Sequence, residues 1–337
     1  MKRILAASGV FMRRRILAAL AAVLLPGLAA AQAPSGKLTL YTSQPQADAQ
    51  TTIDAFRRVH PGVEVSFARD GTTQILNKLR AEFAAGGAQA DLLLIADAMT
   101  MEALKAEKRL LAHPAARTDA FPAGAHDAEK TYFATKFITT GIVYNKAAPV
   151  KPESWADLAR PELRGQLIMP SPLYSGAAAI HMGVLTRQPG LGWPYYEALA
   201  KAGTQSARGN GAVLEAVAGG QKLYGVLVDF MAIRAREKGS PIEFVFPREG
   251  VTVVTEPVAI LAGTKNAPAA RAFVDFLLSP EGQLLAAGQG MMPARIDANP
   301  PPGFPTLSAI RMMPADIAAI LASDERDKER FAELFGR

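Results

Sequence analysis

The sequence predicts an α/β protein of two lobes, each a mostly parallel sheet flanked by helices. Three observations carry this expectation. The chain has 337 residues, beyond the roughly 250 to 300 at which a single core stops growing. From Lys37 onward one grammar recurs five times: a short β-rich run, a small polar turn, then an amphipathic helix. Two long β-type runs without a tight turn bracket the middle of the chain, as strands crossing between two lobes would.

Residues 1–31 are set aside first, because they read as a secretory signal peptide. A basic start is followed by an apolar run from Ile16 to Leu25, a Pro-Gly break, and small residues Ala29 and Ala31 before Gln32. The apolar run falls short of the roughly 20 residues a membrane span needs. Met12, just before Arg13, Arg14 and Arg15, offers a second start. Without this segment Lys plus Arg falls from 37 to 32 against 31 acids, and the formal net charge from +6 to +1. The basic charge is therefore a targeting feature and gives no reason to expect a nucleic-acid partner. The absence of cysteine excludes disulfides, zinc thiolate sites and a cysteine nucleophile, and a chain of this size can be exported without such staples.

The elements follow in order. "KLTLYT" leads through "SQPQAD" into a helix with Ile53, Phe56 and Val59 on its apolar face. "VEVSFA" leads through "RDGTT" into a helix burying Ile75, Leu76, Leu79 and Phe83. "DLLLIA" leads through Asp97 into "MTMEALKAEKRL". The first extended run, Tyr132 to Tyr144, comes next. "QLIMP" then turns on "SPLYS" into a helix that opens "GAAAI", and "LYGVLV" leads through Asp229 into "FMAIRAREKG". "VFPREGVTVVTEPVAILAG" is the second extended run. These two runs set the lobes at 34–136 plus 257–337 and at 137–256, the second inserted into the first. In open sheets of this kind ligands bind beyond the carboxyl ends of the strands, where all five turns belong.

At "EPVAILAGTKNAPAARAFVDFLLSPEGQ", Glu256 to Gln283, the sequence resembles the extracellular solute-binding proteins of bacterial ABC importers, in the group of ferric-ion, organophosphonate and sugar-phosphate receptors. "LTLYTSQ", "DGTTQILNKLRAEFAAGGAQADLLLIAD", "TGIVYNK", "PESWADLARPELRGQLIMPSP" and "SGAAAI" resemble that family in the same order. The resemblance implies a type II periplasmic-binding-protein fold, in which a two-strand hinge closes two α/β lobes around a ligand. It also implies a periplasmic receptor without cofactor or catalysis, with an ABC permease as partner.

A helix start carries unpaired N–H groups and about half a positive charge, so it stabilises an oxyanion without any side-chain cation. Ser175, Gly176 and Ala177 have that chemistry, although a serine there also serves as an ordinary N-cap. Ser43, the Gly71–Thr72–Thr73 turn and Ser171 repeat the pattern. The resemblance implies that such turns from both lobes hold a phosphoryl group, with Arg208 able to reach it. It further implies that Asp229, Glu256 and Asp97 grip hydroxyls or an amine at the ligand's far end, while Asp97 alone reads as an N-cap.

The best expectation is a receptor for a 2-aminoethylphosphonate-like compound, with a sugar phosphate next, bound as a monomer. A ferric receptor is the main alternative, because Fe(III) favours phenolate and carboxylate oxygens. The adjacent pair Tyr195 and Tyr196 lies in the helix "GWPYYEALAKAG", away from the matching strand end, and is expected as core and surface of that helix. His60, His113, His126 and His181 show no metal-ligand spacing. An exported phosphatase-like enzyme would need a nucleophile held beside a base, and no nucleophile elbow, P-loop or H-E-x-x-H motif is present.

Overall fold

In "GKLTLYT" alternation sends Leu38 and Leu40 to one face and Tyr41 to the other, and all three are buried. This run is β1 (Gly36–Thr42) of a computed structural model that describes residues 33–336. The expected signal segment lies outside the described residues. In lobe 1 the chain continues through α1 (Gln46–Val59), β2 (Val63–Arg69), α2 (Thr72–Ala84), β3 (Leu92–Leu94), α3 (Ala98–Ala106), β4 (Leu110–Leu111) and β5 (Tyr132–Ala134). Strands β2, β1 and β3 pair in parallel, each joined to the next by a helix, which is the arrangement the repeated grammar predicts.

Thr135 separates β5 from β6 (Lys136–Asn145), the long strand of lobe 2. Lobe 2 then adds β7 (Leu167–Pro170), α4 (Gly176–Leu185), α5 (Gly192–Lys201), β8 (Gln205–Ala207), α6 (Asn210–Ala218), β9 (Tyr224–Val228), α7 (Asp229–Glu237), β10 (Ile242–Val245) and β11 (Thr252–Val254). Strand β7 pairs in parallel with β8 and β9, while β6 runs antiparallel to β9, β10 and β11. The chain returns to lobe 1 as β12 (Pro257–Leu261), antiparallel to β3, β4 and β5. Each sheet is thus parallel on one side and antiparallel on the side that faces the crossings. The two crossings are tied together where Thr135 donates its N–H to Thr255 O and its hydroxyl to Glu256 O.

The cores follow the sheets. α8 (Ala267–Leu278) brings Phe273, Val274 and Leu277 against Phe56 of α1 and Leu40 of β1, and α9 (Pro280–Gly288) follows it. Val59, expected on the apolar face of α1, is 45% exposed, because it is the last residue of that helix. The sequence boundaries assign 257–337 to lobe 1, but from β13 (Met292–Pro293), which pairs with the start of β6, the chain runs onto lobe 2. There α11 (Asp324–Phe335) packs on α4 and α5, while α10 (Ile317–Leu321) packs on α4 and also on α3 of lobe 1. Phe331 enters the cluster that holds Tyr196 and Trp155, and Ile320 closes on Gly183, where a Cβ would lie 2.4 Å from it. The C-terminal segment thus completes the apolar cluster around α4 and α5.

Candidate functional site: the interlobe cleft

Turns at the carboxyl ends of the strands meet between the sheets around a cleft of about 510 Å³. Beside the apolar start of α7, which contributes Val228, Phe230 and Met231, four helix starts bring small or polar residues to it: Pro45 and Gln46 from α1, Gly71 and Thr72 from α2, Ser175 and Ala177 at α4, and Gly209, Asn210, Gly211 and Ala212 at α6. The first two belong to lobe 1 and the last two to lobe 2. The residues before α1, α2 and α6, namely Pro45, Gly71 and Gly209, provide no side-chain cap. Their first-turn N–H groups therefore have no intrahelical or capping acceptor.

Two hydroxyls add to these donors. Ser43 Oγ accepts from Ala96 N at 3.0 Å. Ser175 Oγ accepts from Ala178 N at 3.3 Å and from Asn210 Nδ2 at 3.4 Å. With their oxygens so engaged, both hydroxyls keep a proton to donate. Two guanidinium groups line the same space. Arg69 donates Nε to Gln44 O at 2.8 Å, whereas Arg208 lies over the Tyr174 ring, 5.4 Å from its centroid, with Nη2 3.7 Å from Asp70 Oδ1. The arrangement is rich in donors and cations, and its chemistry suits an oxyanion.

The eleven residues singled out from the sequence divide in two. Ser43, Gly71, Thr72, Ser175, Ala177 and Glu256 line the cleft. Thr73, Ser171, Gly176, Asp97 and Asp229 do not. Ser171 shapes the turn instead: its carbonyl accepts from Tyr174 N and Ser175 N, and its hydroxyl accepts from Leu173 N. Gly176 serves the approach of the lobes, since a Cβ there would lie 2.8 Å from Ala96 O and 3.0 Å from Thr72 Cγ2. Gly71 faces the same crowding from Tyr174 O at 2.6 Å.

The acids are more engaged than the sequence suggests. Asp97 caps α3, accepting from Met99 N, Thr100 N and the Thr100 hydroxyl, and burial raises its carboxyl. Asp229 is 1% exposed; Oδ2 accepts from Thr139 N and Oγ1 at 2.9 and 2.7 Å, and Oδ1 from Phe230 N. Burial lifts this carboxyl to about 7, against the hydrogen bonds that favour its charge. Glu256 reaches the cleft, but Oε2 lies 2.6 Å from Lys136 Nζ and accepts from Gln44 Nε2 at 3.0 Å. Its backbone takes φ +35°, an unusual value for a residue with a side chain.

Tyr195 and Tyr196 both belong to the core of lobe 2, 7% and 2% exposed, so the expectation of one surface tyrosine does not hold. Burial raises both phenols. α11 is the reason, because Phe331 and Phe335 pack edge-on against Tyr196. His181 is buried beside Trp155 and pushed down to about 3 by loss of solvent. No group of three or more His, Cys, Asp or Glu side chains suited to a metal occurs among the described residues.

The α6 start is what sequence reading missed. "RGNGAV" looks like an incomplete dinucleotide fingerprint after no clear strand. In the structure the three-residue β8 precedes it, pairing with β7. The signal was the glycine pair flanking Asn210 at a helix entrance, the same small-residue pattern as at Gly71 and Gly176.

Comparison with known proteins gives a consistent picture. The family model described as bacterial extracellular solute-binding protein matches residues 38–292. An uncharacterized protein of Haemophilus influenzae is 29% identical over 291 residues, 80% of this chain and 81% of that one. The phosphoglycerate transport regulatory protein PgtC of Salmonella typhimurium is 27% identical over 208 residues, 58% of this chain and 51% of PgtC. This chain thus matches only about half of PgtC's length. Among solved structures, the periplasmic binding protein AfuA of Actinobacillus pleuropneumoniae with fructose-6-phosphate bound superposes with a TM-score of 0.81 at 24% identity, covering 89% of this chain and 98% of AfuA. Iron-bound HitA of Pseudomonas aeruginosa gives 0.77 at 20%, covering 88% and 99%. At such identities the two structures speak for the fold alone.

Proposed function

We propose that this chain, which belongs to the bacterial extracellular solute-binding protein family, is the periplasmic receptor of an ABC importer and captures a small organic phosphoryl compound between its lobes. The observation that carries this reading is the convergence of four helix starts on one cleft, three of them without a side-chain cap. An oxyanion there gains several charge-assisted hydrogen bonds, each worth about 1.5 to 3 kcal/mol. Thr72, Ser43 and Ser175 complete the cradle and Arg208 closes its mouth.

Glu256 and Gln74 also line the cleft. Because Glu256 is already compensated by Lys136 and Asp97 and Asp229 are turned into the protein, none of the three acids expected to hold an ammonium group is free to do so; the other acid of the cleft lining, Asp70, stands beside Arg208. A hydroxyl-bearing ester, such as a sugar phosphate, therefore fits better than 2-aminoethylphosphonate. The names of PgtC and of the AfuA complex support the same class. The ferric reading loses its tyrosine pair to the core of lobe 2. Turnover would need a base beside a nucleophile, and the cleft lining contains no histidine; the receptor delivers its ligand unchanged to a permease.

Thermal-shift titration of the purified protein tests this. The panel is fructose 6-phosphate, glycerol 3-phosphate, 3-phosphoglycerate, 2-aminoethylphosphonate, inorganic phosphate and Fe(III). A ligand at 100 times its Kd adds about 2.7 kcal/mol, and a hydroxylated ester is expected to do so. Stabilisation by Fe(III) alone, with a visible tyrosinate band, refutes the phosphoryl reading.

A further inference from the structure

We propose that Arg234 is an interlobe pin: it leaves lobe 2, seats in a socket on lobe 1, and by making and breaking that contact sets how much of the unliganded protein is closed. This goes beyond the ligand reading and does not depend on it.

Arg234 lies on α7, which packs on β6, β9 and β10 of lobe 2. Its Nη1 and Nη2 donate to Asp48 Oδ1 and Oδ2 at 2.9 and 3.1 Å, and Asp48 lies in the first turn of α1 in lobe 1. Nη1 also donates to Gln289 O at 3.1 Å. The same Gln289 donates Nε2 to Asp48 O at 2.9 Å and to Thr52 Oγ1 at 3.2 Å, so the socket is braced from the end of α9, just before the chain passes onto lobe 2. Gly290 leaves room for the arginine stem, with Cβ and Cδ 3.9 Å from the position of a glycine Cβ.

Three features separate this contact from an ordinary surface pair. It is bidentate and only partly solvated, the Asp48 side chain being 10% exposed, so the two charges are screened weakly. The other ion pair across the cleft, Arg208 with Asp70, is single, long at 3.7 Å and exposed at both ends, and contributes little. The guanidinium also lies 5.4 Å from the ring of Phe230, a residue of the cleft wall. Seating of Arg234 is thereby linked to the wall of the binding site on one lobe and to the cleft-facing start of α1 on the other.

A protein whose competent state is only partly populated binds more weakly in proportion to that fraction. The pin raises the fraction before any ligand arrives. Asp48 favours the α1 start as well, being an acid in its first turn, so the socket is stable when vacated.

The chain has no cysteine, so spin labels at Ala85→Cys on lobe 1 and Lys201→Cys on lobe 2, both exposed positions, are its only two. Distance distributions are recorded on ligand-free protein with native Arg234, with Arg234→Ala, and with Arg234→Lys, which keeps the charge but not the fork. The native protein is expected to show a dominant short distance. Arg234→Ala should move at least about half of that population to a longer distance, Arg234→Lys should fall between, and Asp48→Asn should reproduce Arg234→Ala. Identical distributions in native, Ala and Lys proteins overturn the proposal, as does a native ligand-free protein that is already open. A variant that fails to fold is recognised by its far-ultraviolet circular dichroism, and Arg234→Lys then decides.

Discussion

Lys136 Nζ lies 2.6 Å from Glu256 Oε2, and each residue comes from a different one of the first two crossings between the lobes, at Thr135 and Thr255. Both side chains are 4% exposed. The pair is the charged centre of the hinge, and Gln44 attaches it to the turn before α1. Lys136→Met is expected to leave a buried carboxylate without its cation, at a cost of about 3 to 5 kcal/mol. Adding Glu256→Gln to the same protein should recover most of that loss. Urea unfolding of both variants is the measurement, and a double variant no more stable than the single one would show that the pair is not what Lys136 supports.

Gly176→Ala places a methyl group against Ala96 O and Thr72 of the opposite lobe. Overpacking of this kind costs about 1 to 3 kcal/mol, and here only the closed form bears it. Ligand affinity should fall by up to about 150-fold, while the melting temperature of ligand-free protein falls by less, because that protein escapes the clash by opening. Calorimetric titration and a thermal scan separate the two effects; a large loss of ligand-free stability with unchanged affinity contradicts the interlobe role.

Asp229 has a folded-state carboxyl near 7 against an ordinary value of 3.8, with burial the largest cause. A raised value means that the folded protein holds the proton more tightly than the unfolded chain. This contribution to stability is complete below about pH 4 and is lost as pH climbs through 7, on the order of 4 kcal/mol in all. Asp229→Asn cannot titrate. The difference between native and variant unfolding free energies should therefore shift in the variant's favour from pH 4 to pH 8, and a constant difference across that range would rule the linkage out.

Ser175→Ala removes a cap and a cleft donor together. Stability should fall by about 1 kcal/mol, and phosphoryl affinity by roughly tenfold or more. Ser171→Ala, four residues earlier and outside the cleft lining, should affect stability without a comparable loss of affinity. Equal affinity losses in the two variants would assign the effect to the shape of the turn.

Much of this architecture was legible because it is written locally. Period-two runs such as "KLTLYT" and period-3.6 runs such as "TTQILNKLRAEF" identify strand and helix without knowledge of the neighbours, and the turns between them place the cleft. What local pattern does not encode is which groups are already engaged. Asp229 at a strand end and Glu256 in the returning crossover read as groups for the ligand's far end, yet Thr139 and Lys136, each about 90 or more positions away, claim them. Gly176 reads as room for a ligand, and the space belongs to Ala96. The destination of α11 is likewise a matter of long-range complementarity, fixed by the apolar faces of α4 and α5 rather than by anything within "DERDKERFAELF".

Phe331 in the core of lobe 2 and Phe273 in that of lobe 1 also bear on the order of synthesis. Arg330 and Glu197, which meet on the surface beside Phe331, are 133 positions apart. A chain emerging from its N-terminal end cannot finish either core until the residues beyond Pro257 are made, and lobe 2 waits nearly to the last turn of α11. Contacts of such long range form slowly. The nascent polypeptide consequently stays unlocked for most of its translation, and a ribosome stalled just before Phe331 would hold a chain with every residue of the lobe 1 core already made and lobe 2 still without α11.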